Sequence, residues 1–240
     1  MKVVMLASGS KGNVTYVEDK DTRILIDIGK SCSYIEKKLH EINVNPNTIN
    51  AVLITHTHID HINGLRTFYK KYKPVIYIMP TMLIALSEFL EEFNYCYLTE
   101  KTTIDSLNID VIKTSHDVSD SVGFMINDAL VYITDTGYLN KRYIPKLSNK
   151  SVYIMESNHD IEMLYKGAYP YHLKKRIASD VGHLSNDMAS KYLSQMMGDA
   201  TKHIVLAHLS QENNTKDKAL ETLVNTIGKG NDLNIVVAEQ

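Results

Sequence analysis

The sequence has little cysteine, almost no net charge and no long apolar run. Its two cysteines, Cys32 and Cys96, form no CxxC pair, so we expect packed or incidental free thiols in a reducing cytosol. No stretch approaches the roughly 20 apolar residues that a membrane-spanning helix requires. The first residues, MKVVMLASGSKGN, contain too short an apolar run for a signal peptide and lack a clear cleavage site. We therefore expect a cytoplasmic protein that does not enter a membrane.

The charge is close to balanced, with 26 basic and 28 acidic side chains in 240 residues. No overall basic field attracts nucleic acid, so any such binding must use local patches. The densest basic clusters are Lys174–Arg176 and the group Lys70, Lys71 and Lys73. Each cluster is either a contact for an anionic substrate or a solvated face.

Strand-like and helical segments alternate along the chain, with no linker, repeat or low-complexity run between them. The predicted helices are Ser31–Ile42, Ile62–Tyr72, Thr81–Phe93, Asn186–Met197 and Lys216–Ile227. The alternation favours two sheets packed face to face with helices outside, as an α/β layered sandwich, although periodicity alone does not exclude a doubly wound sheet. A length of 240 residues suits a single domain that spans residues 1–240.

Histidine is abundant, with ten residues, and the segment His56–His61 reads HTHIDH. His56 and His58 are two positions apart, so in extended backbone both imidazoles project to one side and can hold one metal ion. Asp60 and His61 follow where the chain is expected to turn into a helix, which can direct them at a second ion. Four potential ligands within six residues make a polar loop with chance histidines a poor alternative.

Further potential ligands follow this segment in the order His116, Asp135 and His208. Alone, a histidine such as His116 is more often an ordinary surface or packed side chain. However, His56, Asp135, Glu156 and His208 each lie just beyond the C-terminal end of an apolar strand. Ligand sites in α/β folds favour that location. Imidazole nitrogen together with carboxylate oxygen suits zinc, manganese or iron.

These motifs resemble the metallo-β-lactamase superfamily and, in greater detail, its YycJ/WalJ family of exonucleases. HTHIDH alone resembles only the superfamily, whereas the later segments are more specific to the family. The segments that carry the resemblance are LASGSKGN, LIDIG, ITHTHIDHINGL, TSHD, ITDTGY, MESNHD, GAYPYHLKKRI, GHLSN and AHLSQENN. They extend from Leu6 to Asn214, and the resemblance implies the four-layer αββα sandwich of the metallo-β-lactamase fold.

The resemblance also implies a site with two divalent metal ions, with Asp135 bridging them. The implied metal ligands are His56, His58, Asp60, His61, His116, Asp135 and His208. Asp27, at the end of the ILID strand, would accept a hydrogen bond from a ligand histidine and orient it. An ordinary turn residue after a strand is an equally open interpretation of Asp27.

Two such ions would activate a shared water as the nucleophile, and no GxSxG motif suggests a serine instead. Glu156 and His183 match, in chain order, a glutamate and a histidine that form a proton-donating pair in the ribonuclease Z branch. The alternative is that Glu156 is a surface acid at the end of a strand and that His183 is only a neighbour of a helix cap. Asp60 counts among the catalytic residues as well as the ligands. Candidate substrate contacts, through hydrogen bonds to phosphate, are Ser210, Asn213 and Asn214.

By family resemblance, the expected activity is 5′-to-3′ exonucleolysis of DNA, tied to genome maintenance, with nucleic acid as the partner. A small-molecule hydrolase of the thioesterase, lactonase or β-lactamase type is the alternative on the same scaffold. The segment TSHDVSDSVGF lacks the Gly-His-Thr context of the thioesterase-like branches and favours a phosphodiesterase. A non-catalytic binding module would have lost ligands. The oligomeric state stays open, with a homodimer among the options.

Overall fold

The computed structural model describes residues 1–90, 93–228 and 233–239. The chain forms two compact units, the first consisting mainly of Met1–Val111 with Val118–Asp120, the second of Ile112–Asp117 with Ser121–Ala238. In the described part of the chain, no helix combines the length and the apolar character that crossing a membrane requires. Cys32 and Cys96 are free thiols, the first buried and the second exposed.

A six-stranded mixed sheet organises the first unit. Its strands are β1 (Lys2–Ala7), β2 (Val14–Asp19), β3 (Thr22–Ile26), β4 (Ala51–Leu53), β5 (Val75–Ile78) and β6 (Tyr95–Tyr97). They lie side by side in sequence order. β1, β2 and β3 pair antiparallel, and β3 to β6 pair parallel. Because β3 and β4 are parallel neighbours, the residues that follow them, Asp27 and Thr55, leave the sheet at the same edge.

Four helices and a hairpin complete the first unit. They are α1 (Cys32–Glu41), α2 (Ile59–Ile62), α3 (Leu65–Tyr72), α4 (Met82–Leu90), and the antiparallel strands β7 (Lys101–Ile104) and β8 (Leu107–Lys113), with a 3₁₀ turn at Pro46–Thr48. α1 buries Ile35 and Leu39 on one face, as its periodicity predicts. The predicted helix Thr81–Phe93 is found as α4, and residues 91–92 lie outside the described residues.

The predicted helix Ile62–Tyr72 is wrong at its start, because the structure has two helices, α2 and α3, separated at Asn63 and Gly64. A Cβ atom at Gly64 would lie 2.1 Å from the carbonyl oxygen of Lys30, so only glycine permits this approach of the two backbones. The Gly64 N–H donates to the carbonyl of Ile28 at 2.8 Å. The interruption thus fixes the start of α3 against the loop that follows β3.

The second unit is built on a mixed sheet in which four neighbouring strands pair parallel. They are β9 (Val122–Ile126), β10 (Leu130–Ile133), β11 (Val152–Glu156), β12 (His203–Ala207) and β13 (Asn234–Val237). Their order in the sheet is β13–β12–β11–β10–β9, with β9 antiparallel to β10. The parallel neighbours β10, β11 and β12 are in register, with Ile133 beside Met155 and Glu156 beside Ala207. Asp135, Glu156 and His208 therefore emerge at one edge of this sheet.

Helices pack on these strands and bury the apolar core of the second unit. They are α5 (Ile144–Leu147), α6 (Ile161–Lys166), α7 (Tyr171–Ile177), α8 (Asn186–Met196) and α9 (Lys216–Ile227), with a 3₁₀ turn at Lys141–Tyr143. Leu193 of α8, Leu223 of α9 and Leu206 of β12 are fully buried in the same cluster. Truncation of one such leucine to alanine costs about 2–5 kcal/mol of stability, so this core holds the strand ends in place.

Candidate metal centre

The HTHIDH segment of the first unit holds its histidines at short distances from one another. His56 and His61 are buried, and their ring centroids lie 3.9 Å apart. The Nε2 atom of His56 lies 3.1 Å from Nδ1 of His58. His58 is the N-cap residue of α2, whose first turn contains Asp60 and His61. The turn from extended chain into helix therefore occurs within the motif, as the sequence indicates.

Asp27 contacts this segment from the end of β3, and its side chain is fully buried. Its Oδ1 accepts the backbone N–H of Thr55 at 2.8 Å, and its Oδ2 accepts the Thr55 hydroxyl at 2.8 Å. His61 Nδ1 lies 2.7 Å from the same Oδ2. Complete burial raises the pKa of the Asp27 carboxyl, against the opposing effects of His61 and Thr55. The contact fixes the ring of His61 and directs its Nε2 away from Asp27.

Asn13, at the end of the SGSKGN turn, also reaches this segment. Its Nδ2 lies 2.9 Å from Nε2 of His61 and 3.3 Å from Oδ2 of Asp60. Its backbone N–H donates to the Asp60 carbonyl at 2.8 Å, and its Oδ1 accepts the Gly9 N–H at 2.8 Å. Sequence analysis did not single out Asn13. The signal available in the sequence was an asparagine at the end of a glycine-containing turn, which by itself is also ordinary turn chemistry.

In the second unit, one ligand atom from each of four residues lies within 4.8 Å of the others. The residues are Asp135, Glu156, His183 and His208. Asp135 follows β10, Glu156 ends β11, and His208 follows β12, so three parallel strands deliver three members. His183 comes from the loop before α8. The geometry brings together the two predicted ligands and the two residues predicted to donate a proton.

Glu156 is the hydrogen-bond acceptor that holds both histidines of this group. Its Oε1 lies 2.7 Å from Nδ1 of His183 and 3.0 Å from Nδ1 of His208. Its Oε2 accepts the backbone N–H of Thr136 at 2.9 Å and of Leu184 at 3.3 Å. Burial alone would raise the pKa of Glu156, but the His183 charge and the hydrogen bonds from both imidazoles lower it. A carboxylate only accepts, so both Nδ1 atoms carry protons, and each ring directs its Nε2 away from Glu156.

His116 belongs to the same unit and is held by the loop that precedes His183. Its Nδ1 donates to the carbonyl of Gly182 at 3.2 Å, and its Nε2 lies 3.9 Å from Oδ1 of Asp135. Burial lowers the pKa of His116, which favours the neutral imidazole that binds metals. The Gly182 carbonyl is a further contact that sequence analysis missed, since a backbone acceptor leaves no trace in side-chain patterns.

Three residues around these groups have left-handed backbone, with φ of 58° at Asp27, 53° at Asp135 and 56° at His208. This conformation costs a non-glycine residue about 1–2 kcal/mol, so surrounding contacts must hold it. At His208, the Asn158 side-chain amide donates to the carbonyl at 2.9 Å. Such conformations concentrate at functional sites, where side chains must point in a direction that regular strands do not allow.

The predicted substrate contacts differ in their exposure. Asn213 and Asn214 are buried, and the Asn214 amide donates to the carbonyls of Ser157 and Asn158 at 2.9 and 3.1 Å. Ser210 is partly exposed, and its Oγ accepts the backbone N–H of Asn213 at 3.1 Å. Asn214 thus links the strand-end loops within the fold, and Ser210 is the member of the group that solvent reaches.

The family model of the metallo-beta-lactamase superfamily matches residues 7–134. The chain therefore belongs to the metallo-β-lactamase superfamily and, within it, to the family of the exodeoxyribonucleases WalJ and YycJ. Exodeoxyribonuclease WalJ of Streptococcus pneumoniae is 38% identical, across 98% of this chain and 91% of that protein. Exodeoxyribonuclease YycJ of Bacillus anthracis is 36% identical, across 90% of this chain and 84% of that protein.

Solved structures with the same fold are more distant in sequence. The metallo-beta-lactamase fold protein YhfI from Bacillus subtilis is 17% identical, with a TM-score of 0.76. The alignment covers 99% of this chain and 96% of the YhfI chain. The short form of human tRNase Z is also 17% identical, with a TM-score of 0.66 and coverage of 100% and 97%. These likenesses and the family model confirm the predicted metallo-β-lactamase fold.

Proposed function

We propose that the chain is a metal-dependent exonuclease that hydrolyses phosphodiester bonds of DNA in the 5′-to-3′ direction. Support comes from the 36–38% identity to exodeoxyribonucleases WalJ and YycJ over most of the chain. The observation that carries the proposal is the orientation of the imidazoles in each unit. His61, His116 and His208 each place Nδ1 against an acceptor of the fold, which fixes the ring and directs Nε2 away from that acceptor, as in histidines that bind a metal ion through Nε2.

Two divalent ions, Zn²⁺, Mn²⁺ or Fe²⁺, would complete the proposed site. The residues that would hold them are His56, His58, Asp60, His61, His116, Asp135 and His208. The donor set fits such ions, because it combines neutral imidazoles with carboxylates and contains no thiolate. Asp27 acts through His61, whose ring it holds at 2.7 Å.

Divalent ions held there supply water activation at neutral pH and neutralise charge on a phosphoryl oxygen. His183 protonates the leaving oxygen through Nε2, because Glu156 holds its Nδ1 at 2.7 Å. The His183 side chain is 20% exposed, so a bound substrate can reach it, whereas Glu156 is fully buried. Glu156 therefore positions and charges His183, and Asp60 acts as both ligand and catalytic residue.

The substrate contacts in this proposal are Ser210, Asn213 and Asn214, with the partly exposed Ser210 as the direct hydrogen-bond donor to phosphate. The partner is DNA, and the proposed compartment is the cytoplasm, in keeping with two free thiols. The proposed role is in genome maintenance.

The test is an assay of purified protein with added Mn²⁺ or Zn²⁺ on a 5′-labelled DNA duplex, beside a panel of thioesters and nitrocefin. We expect metal-dependent release of label that the substitution His58→Ala abolishes. His40→Ala is the matched control, because His40 is an exposed histidine of α1 outside the proposed ligand set. Turnover of the small esters without degradation of DNA would overturn the proposal in favour of a small-molecule hydrolase.

A further inference from the structure

The side chain of Lys30 packs against the SGSKGN turn at Gly12. A Cβ atom at Gly12 would sit 2.7 Å from Cδ of Lys30, so the absence of a side chain at Gly12 makes room for the lysine stem. The backbone of Gly12 has a φ of 134°, which glycine adopts readily. The ammonium group of Lys30 lies 5.4 Å from the centre of the Tyr34 ring. Lys30 is thus a partly buried lysine whose stem packs against Gly12 and whose ammonium group lies near the Tyr34 ring, in contrast to a solvated surface lysine.

A second ammonium group, that of Lys11 in the same turn, lies close enough to act on Lys30. Burial and the neighbouring charge of Lys11 both lower the pKa of Lys30. Within residues 1–90, 93–228 and 233–239, neither lysine forms an ion pair with a carboxylate. Two like charges held together without a counter-ion repel one another, and an anion that binds both removes the repulsion.

This pair of lysines is tied to the candidate metal ligands through the adjoining backbone. Gly29 N–H donates to the Asn13 carbonyl at 2.9 Å, and Asn13 N–H donates to the Asp60 carbonyl at 2.8 Å. Asn13 also contacts Asp60 and His61 with its side-chain amide. Lys11 lies two positions before Asn13, and Lys30 follows Gly29, which donates to the Asn13 carbonyl. Both lysines therefore adjoin backbone that is held to a residue in contact with two proposed ligands.

We propose that Lys11 and Lys30 form a subsite for a phosphate group of the nucleic acid substrate, beside Asp60 and His61. The proposal rests on the nuclease function proposed above and names the residues that hold the substrate's anionic backbone. Lysine ammonium groups bind phosphate as point charges. The phosphate is either the terminal 5′-phosphate of the strand or an internal one, and substrates of the two kinds distinguish these sources.

The test compares the metal-loaded wild type with the double variant Lys11→Ala/Lys30→Ala. Binding is measured by fluorescence anisotropy with hydrolysis-resistant phosphorothioate oligonucleotides that carry either a 5′-phosphate or a 5′-hydroxyl. We expect Kd to rise at least ~10-fold and the slope of log K against log salt to fall by about 0.7–0.9 per lost phosphate contact. A loss confined to the 5′-phosphorylated strand assigns the terminal phosphate, and an equal loss on both strands assigns an internal one.

Two controls separate this subsite from a general loss of charge or of activity. Lys37→Ala/Lys101→Ala removes the same charge from two exposed positions and should leave Kd and the salt slope unchanged. The metal content of Lys11→Ala/Lys30→Ala should equal that of the wild type, because neither lysine is among the proposed metal ligands. Unchanged Kd and salt slope in that variant, or an equal loss in the control pair, would overturn the subsite. Wild-type protein that binds oligonucleotides through Lys11 and Lys30 but cleaves no diester would instead refute the nuclease function alone.

Discussion

At the scale of single residues, the geometry separates two tasks of Glu156. It lies 2.7 Å from Nδ1 of His183, the proposed proton donor, and 3.0 Å from Nδ1 of His208, a proposed ligand. One buried carboxylate therefore sets the tautomer of both rings, and each ring presents Nε2. Loss of His183 and loss of Glu156 should consequently have different effects on metal binding.

The substitution His183→Ala should lower kcat on a DNA duplex by about 10²–10⁴, the usual contribution of a general acid. Its metal content should equal that of the wild type, because His183 is not among the proposed ligands. Steady-state kinetics with metal analysis by mass spectrometry checks both statements. Full turnover with normal metal content would refute the proton-donor role.

The substitution Glu156→Gln should lower kcat and also weaken metal binding, roughly 10- to 100-fold, as loss of a residue that orients a metal ligand typically does. A glutamine has one oxygen and one NH₂ group, whereas Glu156 accepts from the two imidazoles through Oε1 and from two backbone N–H groups through Oε2. The NH₂ group therefore faces one of these pairs of donors, which loses its acceptor. Metal affinity measured by competition with a chelator is the readout. Metal affinity equal to that of His183→Ala would show that Glu156 does not hold His208.

At the scale of secondary structure elements, the loop after β3 and the turn into α2 form one backbone unit. Ile28 N–H donates to the His61 carbonyl at 2.8 Å, and Asn13 N–H donates to the Asp60 carbonyl at 2.8 Å. A Cβ atom at Gly29 would lie 1.6 Å from the Asp60 carbonyl oxygen, a distance that no side chain tolerates. The position of Asp60 and His61 thus depends on a glycine 31 residues away from the nearer of them.

The substitution Gly29→Ala should displace the α2 turn, and metal content and nuclease activity should fall together. The loss of metal affinity should be about 10- to 100-fold, since two proposed ligands move with the turn. Gly228→Ala is the control: the added methyl group meets no atom within 4 Å, but it strains the backbone at a φ of 83°, so it should lower stability and leave metal affinity unchanged. Chelator competition and thermal unfolding measure the two effects, and unaltered metal affinity in Gly29→Ala would contradict the proposed role of the turn.

The sequence predicted those features of the site that local pattern determines. Asp135, Glu156 and His208 lie at or just beyond the ends of strands, as the sequence predicts. Contacts with a backbone partner distant in sequence were missed, as with Gly182 and His116, 66 positions apart. The split between α2 and α3 was missed for the same reason. Gly64 is needed because the backbone of Lys30, which is distant in sequence, packs against it, and the helical pattern around Gly64 does not show this contact.

At the scale of the whole molecule, each compact unit carries part of the proposed ligand set. The first unit holds His56, His58, Asp60 and His61, and the second holds His116, Asp135 and His208. The single domain expected over residues 1–240 stays a prediction. With a net charge of −2, the molecule has no overall basic field, so the proposed recognition of DNA would depend on local groups and on the proposed metal ions.

The most direct test of this account is the number of metal ions per chain in protein purified without added metal, measured by inductively coupled plasma mass spectrometry. We predict close to two divalent ions per wild-type chain, with a clear loss in both His58→Ala and His208→Ala, one variant from each unit. A chain that contains no metal, and takes up none from Zn²⁺ or Mn²⁺ solutions, would contradict the account.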